Sequence, residues 1–239
     1  NLLFPPYLGL VSGDSWIISL SGFILTDIIL ALVVVMAAVK FDGDLDLTLS
    51  RAGKKFARAI IIASILCIGP LLAIPRNGAT TYEMGIAPIL GFDTPVAKLI
   101  VSIIFFGLTL LLTIRPSKVV DIIGKFLTPA LLVCLAILII MGIINPIGNL
   151  NDAAIENVFS EGILQGYQTL DALGAICLSA VLIKSLVQKG YKQEKDRVNI
   201  LLKAGFIAAL GLALVYGGLT YLGATVSTQY GVEIGRAHV

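Results

Sequence analysis

The sequence has one histidine, three cysteines and few charged residues, and these shortages already exclude several classes of protein. Charged residues make up 13% of the 239 positions, about half the share that is usual in soluble domains, whereas 57% are hydrophobic. A water-soluble globular protein is therefore excluded. The net charge of +2 provides no field for nucleic acid, so we expect no nucleic-acid partner.

The shortage of histidine and cysteine also restricts the possible chemistry. Because the only histidine is His238, at the C-terminal end, a haem, a catalytic zinc or a Ser-His-Asp triad has no ligand or base. Cys67, Cys134 and Cys177 lie in long apolar runs without a Cys-x-x-Cys spacing. We expect all three to be buried small hydrophobic side chains, and we expect no enzyme activity.

Long apolar runs are what the sequence has in abundance. A transmembrane helix needs about 20 mostly apolar residues, because its backbone polar groups must be paired within the segment. Six stretches qualify, at about 16–39, 56–74, 96–114, 126–145, 163–183 and 200–225. Residues 4–11 are too few to cross and are expected to be the second half of an interrupted helix. The sequence predicts an all-α, multi-pass membrane protein.

Positive charge is concentrated in three alternate loops. The loops 40–58, 115–125 and 184–203 hold 14 of the 17 Lys and Arg residues, whereas the loop 146–162 is acidic and holds none. Because short basic loops stay in the cytoplasm, we expect these three on the cytoplasmic side, with specific lipid binding as the alternative reason for their charge. Three aspartates in the first loop have the spacing of a calcium site, but two required positions are wrong.

Polar residues are densest in the fifth stretch. Each costs up to about 3 kcal/mol at membrane depth, which makes such residues candidates for function. Between the glycines of 162–174 the sequence places Gln165, Tyr167, Gln168, Thr169 and Asp171. This pattern suits a helix that unwinds within the membrane and frees backbone groups for an ion or a zwitterion. The alternative is the watery entrance of an ordinary helix.

The first residues of the chain show a similar interruption. Pro5 and Pro6 cannot donate backbone hydrogen bonds and are tolerated where a half-helix begins. Two interrupted segments separated by four clean spans are typical of secondary transporters built from inverted repeats. With five helices per repeat, the first half-segment is helix one and the fifth stretch is helix six.

Other polar insertions have simpler interpretations. Asp27 stands in the first full span and is expected to be an interhelical hydrogen-bonding or interface residue rather than an ion ligand. Gly69 and Pro70 predict a kink in the second span. Arg76 and Glu83, in the polar segment 74–88, form either an extracellular gate pair or part of an ordinary solvated loop. The last span carries a stripe of small residues for close packing, at Gly205, Ala209, Ala213 and Gly217.

Five short motifs together resemble a known family. They are Asn-Leu-Leu-Phe-Pro-Pro at 1–6, Gly-Pro-Leu-Leu-Ala-Ile-Pro-Arg at 69–76, Glu-Met-Gly-Ile-Ala-Pro at 83–88, Pro-Ser-Lys at 116–118 and Gly-Tyr-Gln-Thr-Leu-Asp-Ala at 166–172. From residue 1 to about 225 the chain resembles bacterial branched-chain amino acid carriers of the BrnQ type, in the LIVCS family of cation symporters. This family is similar to the amino-acid/polyamine/organocation superfamily.

The resemblance implies a five-plus-five inverted-repeat fold with discontinuous helices one and six. Residues 1–146 would be the first repeat, without the first half of helix one. Residues 147–232 would begin the second repeat with helices six and seven, and 233–239 look like a translated sequencing adapter. The family's Gly-Ala-Gly before the asparagine is absent here, so the chain is expected to be a fragment.

The resemblance also implies a binding site at the two breaks. Substrate and cation would be held there, with Asn1 and Thr169 as sodium candidates and no certain metal ligand. The substrate-binding residues would be Asn1, Leu2, Leu3 and Phe4 at the first break, and Tyr167, Thr169, Leu170 and Asp171 at the second. No cofactor is implied apart from the coupling cation, Na⁺ or H⁺.

The function implied is that of a secondary active transporter in the bacterial inner membrane. It would import leucine, isoleucine and valine by sodium or proton symport with alternating access, so its partners would be these amino acids, the cation and membrane lipid. Two alternatives stay open: a non-transporting integral membrane subunit, and a transporter of another small apolar solute.

Overall fold

The computed structural model describes residues 2–41, 49–50, 53–91, 94–113, 123–191 and 193–227. Asn1, the aspartates of the first basic loop and the segment 233–239 lie outside these residues. The chain forms two compact units, one made of Asn1–Ile61 and Leu135–Val239 and the other of Ile62–Cys134. These units follow spatial contacts, and the division into two inverted repeats stays a prediction.

The first unit contains the N-terminal and C-terminal helices. In chain order they are α1 (Phe4–Ser12), a 3-10 turn (Gly13–Ser15), α2 (Trp16–Ile24), a π-helical turn (Leu25–Ile29), α3 (Leu30–Val39), and then α9 (Val158–Gln168), α10 (Asp171–Gln188) and α11 (Glu194–Val226). Helix α4 (Lys54–Leu66) begins in this unit, and α8 (Thr128–Ile144) ends in it.

The second unit holds the middle of the chain. Its elements after α4 are a π-helical turn (Cys67–Leu71), α5 (Ala73–Thr80), a π-helical segment (Thr81–Ile86), α6 (Ala87–Leu90), α7 (Pro95–Thr113) and a π-helical turn (Ile123–Leu127) that leads into α8. Gly69 leaves the helical conformation at φ −86° and ψ −114°, which confirms the predicted kink.

Five helical runs among the described residues are long and apolar enough to cross a membrane. They are Phe4–Val39, Lys54–Ile89, Lys125–Ile144, Val158–Gln188 and Glu194–Val226, and a shorter apolar helix covers Pro95–Leu111. Each of the six predicted stretches overlaps one of these helices, so the chain is a multi-pass membrane protein whose described segments are helical and contain no strand. The last run begins six residues before the predicted start at 200.

The core of the first unit lies between α1, α2, α9 and α11, which pack on one another. Phe4, Leu8, Phe23, Ile28 and Tyr216 form its buried cluster, in which the Phe23 and Tyr216 rings meet edge to face at 5.3 Å. We call these five residues the aromatic cluster. Such edge-to-face pairs add about 0.5–1.5 kcal/mol to the packing.

Glycines let the helices of this core touch backbone to backbone. A Cβ on Gly9 of α1 would collide with the Thr220 carbonyl oxygen of α11, and a Cβ on Gly223 with the Pro6 carbonyl oxygen. Along the predicted stripe, Gly205 faces Leu32, while Ala209 and Ala213 pack against the aromatic cluster. The prediction that the last helix packs through small residues is therefore confirmed.

Two sequence predictions about exposure and loops are wrong. Cys134 is exposed and the other two cysteines are half-buried, because helices such as α8 present their apolar side chains outward rather than to a protein core. The polar segment 74–88 is helical rather than a solvated loop. Its Thr80 and Thr81 hydroxyls bond the Arg76 and Asn77 carbonyl oxygens at 2.7 Å, so their polarity is satisfied within the helix.

Candidate functional site

The fifth stretch is interrupted at Thr169 and Leu170, between α9 and α10. Leu170 adopts a left-handed conformation (φ 61°, ψ 18°), which is unfavourable for a residue with a side chain and stops the helix. The Thr169 hydroxyl donates to the Gly166 carbonyl oxygen at 2.6 Å and caps the end of α9. The predicted discontinuous helix is confirmed, and the alternative of an ordinary helix entrance is wrong. We call this interruption the break.

A short helix is present at the start of the chain, and the interruption predicted before it stays a prediction. Helix α1 begins at Phe4 with the two prolines in its first turn, where missing N–H groups cost no hydrogen bond. It ends before Gly13, whose φ of 50° and ψ of −124° separate it from α2. The loop before α9 packs there, since the Asp14 N–H donates to the Asn151 carbonyl oxygen at 2.8 Å.

Asp27 is a buried polar residue whose neighbours the sequence did not reveal. It lies in the π-helical turn and is only 1% exposed, and within the described residues neither of its carboxyl oxygens has a hydrogen-bond partner. The expected interface position is therefore confirmed, but the expected hydrogen bonding is not found. The only sign of a special role in the sequence was that Asp27 is an isolated charged residue in an apolar span. The structure adds that it lies in a π-helical turn, an element that is frequent at functional sites.

Three polar side chains from other segments surround Asp27. The Thr169 hydroxyl, the Asp171 carboxyl and the Tyr216 hydroxyl all lie close enough to interact with its charge. None of them is in ordinary hydrogen-bond geometry with an Asp27 oxygen. The break is thus brought next to a carboxyl group from a helix about 140 residues earlier in the chain.

Close helix packing holds the π-helical turn against α9. The Thr26 hydroxyl oxygen lies 3.1 Å from the Ile163 carbonyl oxygen, which joins the two elements directly. Gly162 and Gly166 present bare backbone to α2 and the π-helical turn: a Cβ on Gly162 would collide with the Ser19 carbonyl oxygen, and one on Gly166 with the Thr26 hydroxyl. These contacts fix the height of Asp27 relative to the break.

Gln165 is a second buried polar residue in α9. It is 3% exposed, and its Nε2 donates to the Glu161 Oε1 at 2.7 Å. Its own Oε1 has no hydrogen-bond partner within the described residues. The polar face of α9 thus continues from the acidic loop toward the break.

The predicted substrate-binding residues do not all converge. Phe4 belongs to the aromatic cluster and Leu2 packs against it, whereas Leu3 is 44% exposed. At the break, Thr169, Leu170 and Asp171 are half-buried, but Tyr167 is 65% exposed. The aromatic cluster connects the two groups, because it contains Phe4 and because its Tyr216 lies close to Asp171. Asn1, predicted at both the substrate and the sodium site, lies outside the described residues.

The two gate candidates lie in the second unit. Arg76 is exposed on α5, and Glu83 is exposed in the π-helical segment that follows. A cavity of about 350 Å³ in this unit is lined by Glu83 but not by Arg76; its walls are Pro75, Ala79, Tyr82, Glu83, Lys98, Ser102 and Phe106. Lys98 therefore shares this cavity with Glu83. Its Nζ lies 5.8 Å from the Tyr82 ring centre.

The chemistry available at the break is binding by oxygen atoms and backbone groups. In the part of the chain that the structure describes, no group of three or more His, Cys, Asp or Glu side chains could hold a metal ion. Carboxyl and hydroxyl oxygens together suit a small hard cation or an ammonium group.

Comparisons with known proteins agree with one another. The model of the family described as "Branched-chain amino acid transport protein" matches residues 1–238. The branched-chain amino acid permease BrnQ of Bacillus subtilis is 37% identical over 245 residues, which cover 100% of this chain and 56% of the permease. The branched-chain amino acid transport system 2 carrier protein of Pseudomonas aeruginosa is 36% identical over 247 residues, with the same coverage of 100% and 56%.

A second Bacillus subtilis protein, the branched-chain amino acid permease BraB, is 37% identical over 97% of this chain and 53% of its own length. The chain thus spans about half the length of the curated relatives it matches. No solved structure matches the chain.

Proposed function

Because the chain belongs to the family of branched-chain amino acid transport proteins, we propose that the protein carrying it imports leucine, isoleucine and valine across a bacterial inner membrane. The observation that carries this proposal is the break, which lies within an apolar helical run next to the aromatic cluster. Interrupted helices with free backbone groups are how secondary transporters hold substrate and ion.

The substrate's charged groups are matched to backbone groups at the two interruptions. Helices α1 and α10 both begin there, and a helix N-terminus carries a partial positive charge that attracts a carboxylate. The carbonyl oxygens that end α9 at the break are acceptors for the ammonium group. We assign substrate contacts to the residues at both interruptions, namely Asn1, Leu2, Leu3, Phe4, Tyr167, Thr169, Leu170 and Asp171.

We propose that an apolar pocket formed by the substrate-contacting residues accounts for the choice of substrate. A polar side chain entering such a pocket loses hydrogen bonds to water without replacement, whereas one methylene more or less changes binding by only about 1–3 kcal/mol. The pocket therefore rejects polar amino acids and accepts leucine, isoleucine and valine together.

Accumulation requires a coupling cation and a change of access. Na⁺ is favoured over H⁺ because no histidine lies within the apolar runs. The three basic loops lie on the cytoplasmic side. Arg76 and Glu83 close the outer side, with Lys98 beside Glu83 as a further charge at the same cavity. Alternating access then exposes the break to each side of the membrane in turn.

Uptake into proteoliposomes tests this function. We expect the full-length protein that carries this sequence to accumulate labelled leucine when an inward Na⁺ gradient is applied at constant pH. Excess unlabelled isoleucine or valine should suppress the signal, and excess lysine should not. No leucine uptake under either a Na⁺ or a H⁺ gradient would contradict the proposal.

Cysteine labelling tests where leucine binds. After Cys67, Cys134 and Cys177 are replaced by serine, single cysteines at Tyr167 and Thr169 should react more slowly with a membrane-impermeant thiol reagent when leucine is present. The substrate shields these positions or closes the path to them. A cysteine at Phe159, exposed near the start of α9, is the matched control. Equal labelling rates with and without leucine would place the substrate elsewhere.

A further inference from the structure

A buried carboxyl group without a hydrogen-bond partner is the feature of the first unit that the proposed function leaves unexplained. Asp27 is 1% exposed, and neither of its oxygens is hydrogen-bonded within the described residues. Burying a charge in this way is costly, so buried carboxylates in proteins are paired, hydrogen-bonded or bound to a metal ion. Asp27 therefore either carries a proton or binds a positively charged ligand.

Oxygen atoms from three helical segments face one another at this position. Asp27 comes from the π-helical turn, Thr169 and Asp171 come from the break, and Tyr216 comes from α11. The Thr169 hydroxyl donates to the Gly166 carbonyl oxygen and accepts from the Asp171 N–H at 3.5 Å, which leaves one lone pair of its oxygen available. Two carboxyl groups this close repel each other when both are ionised, unless a cation lies between them.

We propose that Asp27 and Asp171 bind the coupling Na⁺, with the hydroxyl oxygens of Thr169 and Tyr216 completing its ligands. This inference rests on the proposed transport function. Oxygen donors suit a hard cation, and two carboxylates without a third acidic, His or Cys neighbour in the described part of the chain favour a monovalent ion. Two carboxyl groups are enough to share a single proton, so the two additional hydroxyl oxygens favour a bound cation over a shared proton.

The position of this site explains how the cation and the substrate are coupled. Thr169 and Asp171 lie on either side of Leu170, whose left-handed conformation defines the break. A cation bound to both residues holds the break in one geometry, and with it the backbone groups that receive the amino acid. Leucine binding and Na⁺ binding must then strengthen each other by the same factor.

The test measures Na⁺ binding and leucine transport separately in the full-length protein. In proteoliposomes at constant pH, the Na⁺ concentration for half-maximal leucine uptake should rise about tenfold or more in Asp27→Asn, as expected when a metal site is damaged. Asp14→Asn is the matched control, since Asp14 is exposed in the adjacent 3-10 turn. It should leave this concentration unchanged.

A second measurement distinguishes the loss of Na⁺ binding from the loss of folding. Purified protein should unfold at a higher temperature in NaCl than in choline chloride of equal strength, and Asp27→Asn should remove this difference. If Asp27→Asn does not reach the membrane, Asp27→Glu provides the test of the cation site. This variant keeps the charge but displaces the carboxyl oxygens. The Na⁺ concentration that it needs for half-maximal uptake should therefore rise, while its KM for leucine at saturating Na⁺ stays unchanged.

The outcomes separate the two proposals. Na⁺ stabilisation that depends on Asp27, without any leucine transport, would overturn the proposed function and support the cation site. Leucine transport with an unchanged Na⁺ requirement in both Asp27 variants would overturn the cation site alone. Uptake driven by a pH gradient and indifferent to Na⁺ would also overturn it.

Discussion

Replacing Asp171 with asparagine is expected to abolish leucine accumulation, while leucine exchange persists at saturating leucine with a raised leucine concentration for half-maximal exchange. Asp171 is the first residue of α10, directly after the break, and its carboxyl group faces Asp27. Asparagine keeps the size and one oxygen but loses the negative charge, so the coupling cation is no longer held. The measurement compares gradient-driven uptake with exchange of external labelled leucine for internal unlabelled leucine, at equal high Na⁺ on both sides.

Exchange is the informative half of this comparison. It requires leucine binding and alternating access but no net transfer of energy from the cation gradient, so its survival shows that the variant is folded. Asp152→Asn, in the exposed loop before α9, is the control and should accumulate leucine normally. If Asp171→Asn still concentrates leucine, Asp171 has no part in coupling.

Replacing Gly166 with alanine is expected to lower the stability of the protein markedly. The alanine Cβ would meet the Phe23 carbonyl oxygen at 2.7 Å and would also collide with the Thr26 hydroxyl, and the backbone atom cannot move without displacing α2. Overpacking of this kind costs about 1–3 kcal/mol. We expect a lower unfolding temperature in detergent and a loss of leucine uptake, because the turn that carries Asp27 is pushed away from the break.

Gly174 in α10 provides the matched control, since a Cβ there has open space within 4 Å. Alanine is a better helix former than glycine by about 0.5–1 kcal/mol, so Gly174→Ala should keep or raise the unfolding temperature and retain uptake. Equal stability of the two variants would show that α9 and α2 are not in close contact in the membrane.

Helix positions were predictable because they depend on local chemistry. An apolar run of about 20 residues has to be helical in a bilayer, and glycines, prolines and polar groups within such a run mark where the helix is interrupted. The break at Thr169 and Leu170 and the start of α1 at the prolines followed from these rules.

Helix ends outside the apolar runs were not predictable from hydropathy. Helix α11 begins at Glu194, in a charged segment that supports a helix as well as an apolar one does. The segment from Ala73 to Leu90 is helical although it is polar, and its threonine hydroxyls are accommodated by bonding backbone carbonyl oxygens of the preceding turn. Hydropathy measures the environment of a segment, and backbone hydrogen bonding decides whether it is a helix.

The sequence by itself determined that this is an all-helical membrane protein with an interrupted helix at Thr169 and Leu170, because both properties depend on neighbouring residues. Only the tertiary structure decided that Asp27 lies beside the break. Asp27, Thr169 and Tyr216 are far apart in the chain, and they meet because Gly162 and Gly166 let α9 approach α2 closely. A partner so distant leaves no local pattern, since its position depends on how the helices pack.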